Sequence, residues 1–423
     1  MINNLIKSFD FDCLIIPIFV GSSERNTWIK NHHDIDLFLT FPDTKTKEDM
    51  IRISKVIFEK LISFVDYWED RHSEHQYIHI KYFNYEIDVV PCFRIKNSNK
   101  IISSVDRTPF HNIFLKKEIV GYEDEVILLK QFMKTIGVYG SEVKNKGFSG
   151  YLSELLIVKY KSFENVLVNI SIFIPYTKRD IFSSELKKYN DPMVVIDPVD
   201  TNRNVAASLS IDKLCIFIDN ARSFLMNPRK CFFIKKNDDI SKDIVIGIIK
   251  KRKSYFFILN FLIIETKKED TIYPQVEKMK NNIQKILEKY DFSIFGSKII
   301  IENNECYILF EIMHLNLSNV YILNGPPVFD IKNSLEFKKK YNYKNNNLYS
   351  LYIKNGYYKV KIKRKYTNAI NLLKDKILNK EISIGKTILD GYLKKNCFIL
   401  HKDIKNLKSK FLYNEIYNYL TKS

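Results

Sequence analysis

Asp34 and Asp36 stand two residues apart in DIDLFLTF (residues 34–41), which alternates polar and apolar side chains at its start. On an extended strand, residues two apart point to one face, so the pair presents both carboxylates to the same space. Glu86-Ile87-Asp88-Val89-Val90 supplies further acids on a neighbouring strand, and a third carboxylate there could complete the oxygen cage that two Mg²⁺ ions need for in-line phosphoryl transfer. Glu86 shares a face with Asp88, so periodicity leaves either of them as that third ligand. Upstream, Gly21-Ser22-Ser23-Glu24-Arg25 leads from an apolar run toward an expected helix, a place where backbone amides, a hydroxyl and a guanidinium can hold a triphosphate. Singly each piece is ordinary: a DxD at a strand edge is usually a solvated pair, and a Gly-Ser turn is usually only a turn. Their order and spacing together carry the meaning.

The elements that must position these groups can be read from periodicity. Residues 11–20 form an Ile-rich apolar run suited to a buried strand, residues 47–67 have helical spacing, and 76–83 with 85–91 read as paired strands joined at Asn84. This is an α+β domain ending near residue 118. From 123 to 169 apolar positions recur at three and four, interrupted by glycine turns at Gly137, Gly140 and Gly147 to Gly150, which predicts a helical connector. Beyond it the pattern predicts a strand at 193–196, a helix over 205–225, paired strands over 244–265, a helix over 273–290 and two strands over 293–315. That order resembles an α/β sandwich of the ferredoxin-like kind. Gly325-Pro326-Pro327 breaks the pattern and opens a Lys- and Tyr-rich tail. The expected architecture is therefore multidomain α+β: a candidate catalytic head (1–118), a helical neck (119–170), an α/β body (171–328) and a basic tail (329–423).

At 423 residues each domain can bury its own core without a metal or disulfide staple, and 45% hydrophobic content excludes a disordered chain. The net charge is +18, and its placement is uneven. From Asp330 onward, 21 Lys and one Arg face three Glu and four Asp, so +15 sits in the last 94 residues. Such an excess favours a polyanion partner. Six scattered cysteines, without CxxC pairs or histidines at ligand spacing, read as reduced core thiols. The first apolar stretch contains acids and lacks a cleavage site, and residues 256–264 are too short to span a bilayer, so a cytoplasmic protein with no membrane partner is expected.

A Gly-Ser loop, a helix's length, a carboxylate pair and a later lone carboxylate follow the plan of the DNA polymerase β nucleotidyltransferase superfamily, which the first domain resembles. VGSSERNTWIKNHHDIDLFLTFP (20–42), EIDVVPCFRI (86–95) and VDRTPFHNIFL (105–115) resemble the head motifs of the archaeal, class I CCA-adding enzymes. LLKQFMKTIGVYGSEVKNKGFSGYLSELLI (128–157) and VVIDPVDTNRNVAASLS (194–210) are similar to the family's neck and body signatures. The resemblance implies metal ligands at Asp34, Asp36 and Asp88, and a triphosphate clamp at Ser22 and Arg25. It puts His111, Lys130 and Tyr139 at further nucleotide-contacting positions and makes Arg203 the arginine that reads the incoming base. As bare residues these last four would be a loop histidine, a solvated helix lysine, a packing aromatic and a surface arginine.

The implied activity is template-independent addition of C, C and A to the tRNA 3′ end from CTP and ATP, with Mg²⁺ as cofactor and pyrophosphate released. The partner would be the tRNA acceptor and T-arm, gripped by Lys361, Lys363, Arg364 and Lys365 of the tail; the resemblance leaves room for a homodimer. Rival readings are another superfamily member, such as a poly(A) polymerase, an oligoadenylate synthetase or a small-molecule nucleotidyltransferase, and an RNA-binding derivative that has lost catalysis. Two departures stand out. Only some twenty residues precede the Gly-Ser loop, so the back of the head is expected to be trimmed or differently covered. Glu24 stands where a small or neutral residue is common, and a carboxylate there opposes phosphate unless it points away or pairs with a base such as Arg25 or Lys30.

Overall fold

The computed structural model describes residues 6, 9, 11–29, 34–65, 67–72, 76–95, 101–234, 240–264, 269–341 and 351–422. Residues Met1–Lys236 form one unit and Asn237–Ser423 another. In the first, strands β1 (Ile16–Val20), β2 (Asp34–Pro42), β3 (Tyr67–His72), β4 (Gln76–Tyr82) and β5 (Tyr85–Arg94) make a sheet of order β1-β2-β5-β4-β3. β2 and β5 are parallel, and the other neighbours are antiparallel. β3 was not expected: YWEDRH lies at the sheet edge, two thirds of it polar, and shows no apolar alternation. A single helical turn, α1 (Gly21–Glu24), follows β1, where a longer helix was expected; Lys30 lies outside the described residues. α2 (Lys47–Ile62) starts where the Thr46 hydroxyl accepts the Asp49 amide. It buries Met50, Ile53, Ile57, Phe58 and Leu61 in one core with Leu37, Leu39 and Val89 of the sheet.

The helices α3 (Thr108–Glu118), α4 (Glu123–Thr135), α5 (Gly150–Tyr160), α6 (Phe163–Ser171) and α7 (Ile211–Met226) complete this unit. One apolar core runs from Leu115 to Phe232, centred on Phe132, which meets Phe163, Phe224 and Phe232. The division expected at 170 thus passes through a continuous core. Residues 193–196 are not a strand; Asp180↔Val194 and Ile196↔Asn204 are isolated bridges. The helix expected from 205 begins at Ile211, where Ser210 caps it.

In the second unit, α8 (Lys242–Arg252) and β6 (Tyr255–Leu262) replace the strand pair expected over 244–265. Ser241 caps α8, Val245 and Ile249 bury one face four residues apart, and Lys253 ends it left-handed. α9 (Glu269–Lys289), β7 (Ile294–Glu302) and β8 (Glu305–Ile312) follow. Then come β9 (Val320–Pro327), α10 (Ile331–Tyr341), β10 (Tyr352–Lys354), β11 (Tyr357–Lys363), α11 (Ala369–Leu378), α12 (Lys386–Lys394), β12 (Asn396–Leu400) and α13 (Lys410–Lys422).

The main sheet has the all-antiparallel order β12-β6-β8-β7, the 4-1-3-2 arrangement of the ferredoxin-like kind, but its fourth strand comes from the segment expected to be tail. β6 is buried on both faces. Phe257, Leu259 and Phe261 join the core with α9, α11 and α12, while Phe256 and Ile258 join that with α8 and α13. The last 94 residues are therefore not an appendage. Gly325-Pro326-Pro327 lies inside β9, an edge strand of the small sheet β10-β11-β9, where prolines remove no ladder bond that the sheet needs.

All six cysteines are free, but only Cys92 and Cys306 are buried core thiols; Cys215, Cys231 and Cys397 are exposed. Among the described residues no helix is long and apolar enough to cross a membrane.

Candidate active site

The parallel register of β2 and β5 sets Asp36 beside Asp88 and Asp34 beside Glu86. Four carboxylates thus line one end of one sheet face. They do not have equal surroundings. Glu86 is paired with Lys81 at 2.8 Å and held below its usual pKa by that bond, whereas Asp88 Oδ1 lies 2.7 Å from His79 Nδ1 and 3.7 Å from Arg71 Nη1. The Asp36 carboxyl is pushed up to about 7, first by burial and then by the charges of Asp88 and Asp34, against the pull of Arg25. An acidic oxygen set this crowded has the chemistry of a hard divalent cation site. Among the described residues no three potential ligands already converge on one point.

Gly21 brings the loop against this set. Its φ is +79°, and a Cβ there would stand 2.0 Å from Asp36 Oδ2, so both backbone and space require glycine. Gly21→Ala is expected to lower the melting temperature and to cut nucleotidyl transfer ~10²-fold through displacement of the carboxylate. Wild-type turnover in that variant would show that the close approach serves only folding.

Arg25 and Lys130 converge on one buried acid, Glu154. Lys130 is 1% exposed; its Nζ donates to Glu154 Oε1 at 2.8 Å and to the Thr27 carbonyl at 3.1 Å. Arg25 donates to Glu154 Oε2 at 2.8 Å and to Asn112 Oδ1 at 2.6 Å, and the Thr27 hydroxyl donates to Glu154 Oε1 at 2.6 Å. Glu154 is fully buried. Burial works to raise its pKa, yet Lys130 and Arg25 hold it below the usual value, and burial lowers that of Lys130. The guanidinium expected to clamp phosphate therefore ties the loop to α5, with Nε buried and without a partner among the described residues. Ser23 Oγ is buried and unpartnered in the same sense, while Ser22 is half-buried. Glu24 turns away to pair with Lys116 of α3, rather than with Arg25.

A second buried carboxylate gathers the remaining residues. Asp197 Oδ2 accepts from Arg203 Nη1 at 2.9 Å and lies 2.8 Å from His111 Nε2; Oδ1 accepts the Tyr151 hydroxyl at 2.9 Å and the Val199 amide at 3.0 Å. Burial opposes its charge, but the His111 contact and the bonds from Val199 and Tyr151 hold it well below the usual carboxylate range. His111 stacks on Tyr151 with ring centroids 4.0 Å apart. Arg203 and Arg107 both line a surface pocket with Asp200 and Asn202. Tyr139 is raised above its usual pKa by burial, then by Glu154, Glu142 and Asp34, which puts its hydroxyl within electrostatic reach of the first carboxylate and of Glu154. His79, Tyr151, Glu154 and Asp197 escaped the sequence reading. Their partners lie up to 129 residues away, and no local pattern marks them.

In the second unit, Lys359, Lys361 and Lys363 of β11 alternate with the inward Tyr358 and Val360 and so share one face. α10 covers the opposite face, where Phe337 stacks on Tyr358. Arg364 departs from the expected patch: it is paired with Asp291 and lies over the Tyr321 ring at 4.8 Å. Lys365 is exposed beside Tyr366.

Family models match three stretches: a nucleotidyltransferase domain at residues 17–111, the second domain of tRNA nucleotidyltransferase at 124–234, and the C-terminal domain of CCA-adding enzyme at 252–401. A CCA-adding enzyme of Methanosarcina barkeri is 40% identical over 375 residues, covering 88% of this chain and 82% of that protein. Those of Methanosarcina mazei (39%, covering 92% and 86%) and Methanocaldococcus jannaschii (38%, covering 88% and 83%) are similar. A solved structure of the Cid1 poly(U) polymerase aligns with 55% of the chain and 90% of its own, at 14% identity and a TM-score of 0.46.

Proposed function

The chain belongs to the archaeal CCA-adding enzymes and is a CCA tRNA nucleotidyltransferase; from that premise we propose that Asp34, Asp36 and Asp88 are its catalytic carboxylates. The observation that carries this reading is the register that sets Asp36 beside Asp88 and against Gly21. Glu86, which stands opposite Asp34 rather than Asp36, is left out of the proposed ligand set.

In the proposed reaction the tRNA's terminal 3′-hydroxyl attacks the α-phosphorus of CTP or ATP; the new O3′–P bond forms as the bond to pyrophosphate breaks. Asp34, Asp36 and Asp88 would hold Mg²⁺, which would supply charge to lower the hydroxyl's pKa and screen the pyrophosphate. Gly21 lets the loop approach, Ser22 offers its hydroxyl to the triphosphate, and Arg25, tied to Asn112 and Glu154, sets the loop against it. His111 and Tyr139 border the nucleotide, Lys130 holds the loop from beneath, and Arg203 presents its guanidinium to the base. Incorporation of labelled CTP and ATP into tRNA lacking its CCA end tests the whole reading, and failure to add either would overturn it. The enzyme's working place is the cytoplasm, with its tRNA.

The lysine face of β11, with Lys365, is proposed to grip the acceptor and T-arm backbone. Double-stranded RNA is held mainly through phosphates and 2′-hydroxyls, which suits an enzyme that serves every tRNA. Replacing Lys361, Lys363 and Lys365 by Ala is expected to weaken tRNA binding and to flatten the slope of log affinity against log salt by roughly 0.7 to 0.9 per lost phosphate contact. Turnover at saturating tRNA should change little. Adding Arg364→Ala should lower thermal stability instead, because that side chain is engaged with Asp291 and Tyr321. Binding isotherms at several salt concentrations check the first, and melting curves the second.

A further inference from the structure

We propose that Asp197 is a positioning residue for nucleotide choice: it holds the Arg203 guanidinium at one fixed angle and so lets the enzyme distinguish C and A from U and G. The inference rests on Arg203 facing the incoming base.

Template-independent choice needs a rigid reader, because a mobile guanidinium bonds any base edge that offers an acceptor. An arginine on a turn, 39% exposed, would by itself sample many rotamers. Here one nitrogen of its fork is bonded to a carboxylate that is 0% exposed. Asp197 is itself immobilised by the Val199 amide, by the Tyr151 hydroxyl from α5 and by His111 from α3. The turn that carries Arg203 is closed on the same residue: the Asp197 amide donates to the Arg203 carbonyl at 3.0 Å, and the Arg203 amide donates to the Asp200 carbonyl at 2.9 Å. Arg107 Nε, bonded to Asp200 Oδ2 at 2.8 Å, braces the turn from the other side.

The two oxygens of Asp197 divide the work in a way that permits a clean test. Oδ1 serves Tyr151 and Val199, which hold the carboxylate in place; Oδ2 serves Arg203 and His111, the two groups proposed to face the nucleotide. Asp197→Asn keeps an acceptor for the first pair, because the Val199 amide favours the orientation with oxygen on its side. It sets an NH₂ donor against the second pair.

The experiment compares kcat/KM for CTP, ATP, UTP and GTP on tRNA ending before and within CCA, for wild type, Asp197→Asn, Arg203→Ala and the double variant, with melting curves for each. A population that is merely less folded lowers all four values equally, so the ratios report positioning alone. The expected result is at least a tenfold loss of the CTP over UTP ratio in Asp197→Asn. The double variant should match Arg203→Ala, as two members of one unit do. Arg203→Lys, which keeps the charge but meets Asp197 through a single ammonium, should give a smaller loss in the same direction, and it probes the contact without touching the buried carboxylate. Unchanged ratios in both Asp197→Asn and Arg203→Lys, with Arg203→Ala impaired, would overturn the positioning role. Unchanged ratios in Arg203→Ala would overturn the base-reading role beneath it.

Discussion

Asp36→Asn is expected to abolish addition of both C and A, by about 10³-fold or more, while tRNA affinity stays within a few fold. One carboxylate set serves both nucleotides, so a variant that lost C addition but kept A addition would sink the single-site reading. The same substitution has an opposite effect on stability. Asp36 is raised in the folded protein from 3.8 to about 7 by burial and by Asp88 and Asp34, so the folded state holds the proton more tightly than the unfolded chain. Its penalty is absent below about pH 4, grows as pH rises through about 7, and reaches at most about 4 kcal/mol above that. Asparagine carries no such penalty. In chelator-treated protein, Asp36→Asn should melt higher than wild type at pH 8, with the gap narrowing toward pH 5. A variant that is inactive yet more stable separates catalytic loss from misfolding. Equal melting temperatures at both pH values would show that the carboxylates are not in competition.

The largest loss of stability is expected from Glu154→Gln. Removing this charge leaves the Lys130 ammonium 1% exposed without its counter-ion and loosens Arg25 and Thr27 at once. Breaking a buried pair from one side costs about 3–5 kcal/mol, which corresponds to roughly 10 °C for a unit of this size. The double variant Glu154→Gln with Lys130→Met should recover part of it, since the uncompensated charge is then gone. KM for CTP and for ATP should rise together in Glu154→Gln, because Arg25 and Thr27 belong to the segment that follows Gly21. A full melting temperature in the single variant would mean that the network contributes little.

Legibility of the site followed the range of each interaction. The face shared by Asp34 and Asp36 depends only on strand geometry, and helical spacing marked α2 and α9 equally well. Spacing leaves Glu86 and Asp88 equal as a third acid, and the proposal of Asp88 rests on the neighbour relation across β2 and β5 that sets it beside Asp36. Ile244 to Ile249 read as strand because isoleucine and valine favour one, and the Ser241 cap with burial at Val245 and Ile249 overrode that preference. Lys130, read alone as a solvated lysine, is buried because Glu154, on the next helix, neutralises it. Composition marked a basic tail, yet Leu372, Ile388, Ile404 and Ile416 sit in the same cores as the preceding strands.

What the amino-acid sequence determined by itself was chemistry that a short stretch of backbone can present: a carboxylate pair on one strand face, a glycine loop ahead of it, and a net charge gathered toward one end. Only the tertiary structure decided which acid stands beside Asp36, which bases are spent on Glu154 and Asp291, and that Asp197 collects Arg203, His111 and Tyr151. The physical reason is that a charge's role depends on what remains near it once water is removed. Apart from Arg203, six residues from Asp197, those neighbours are brought in from tens to more than a hundred residues away, where sequence spacing carries no record of them.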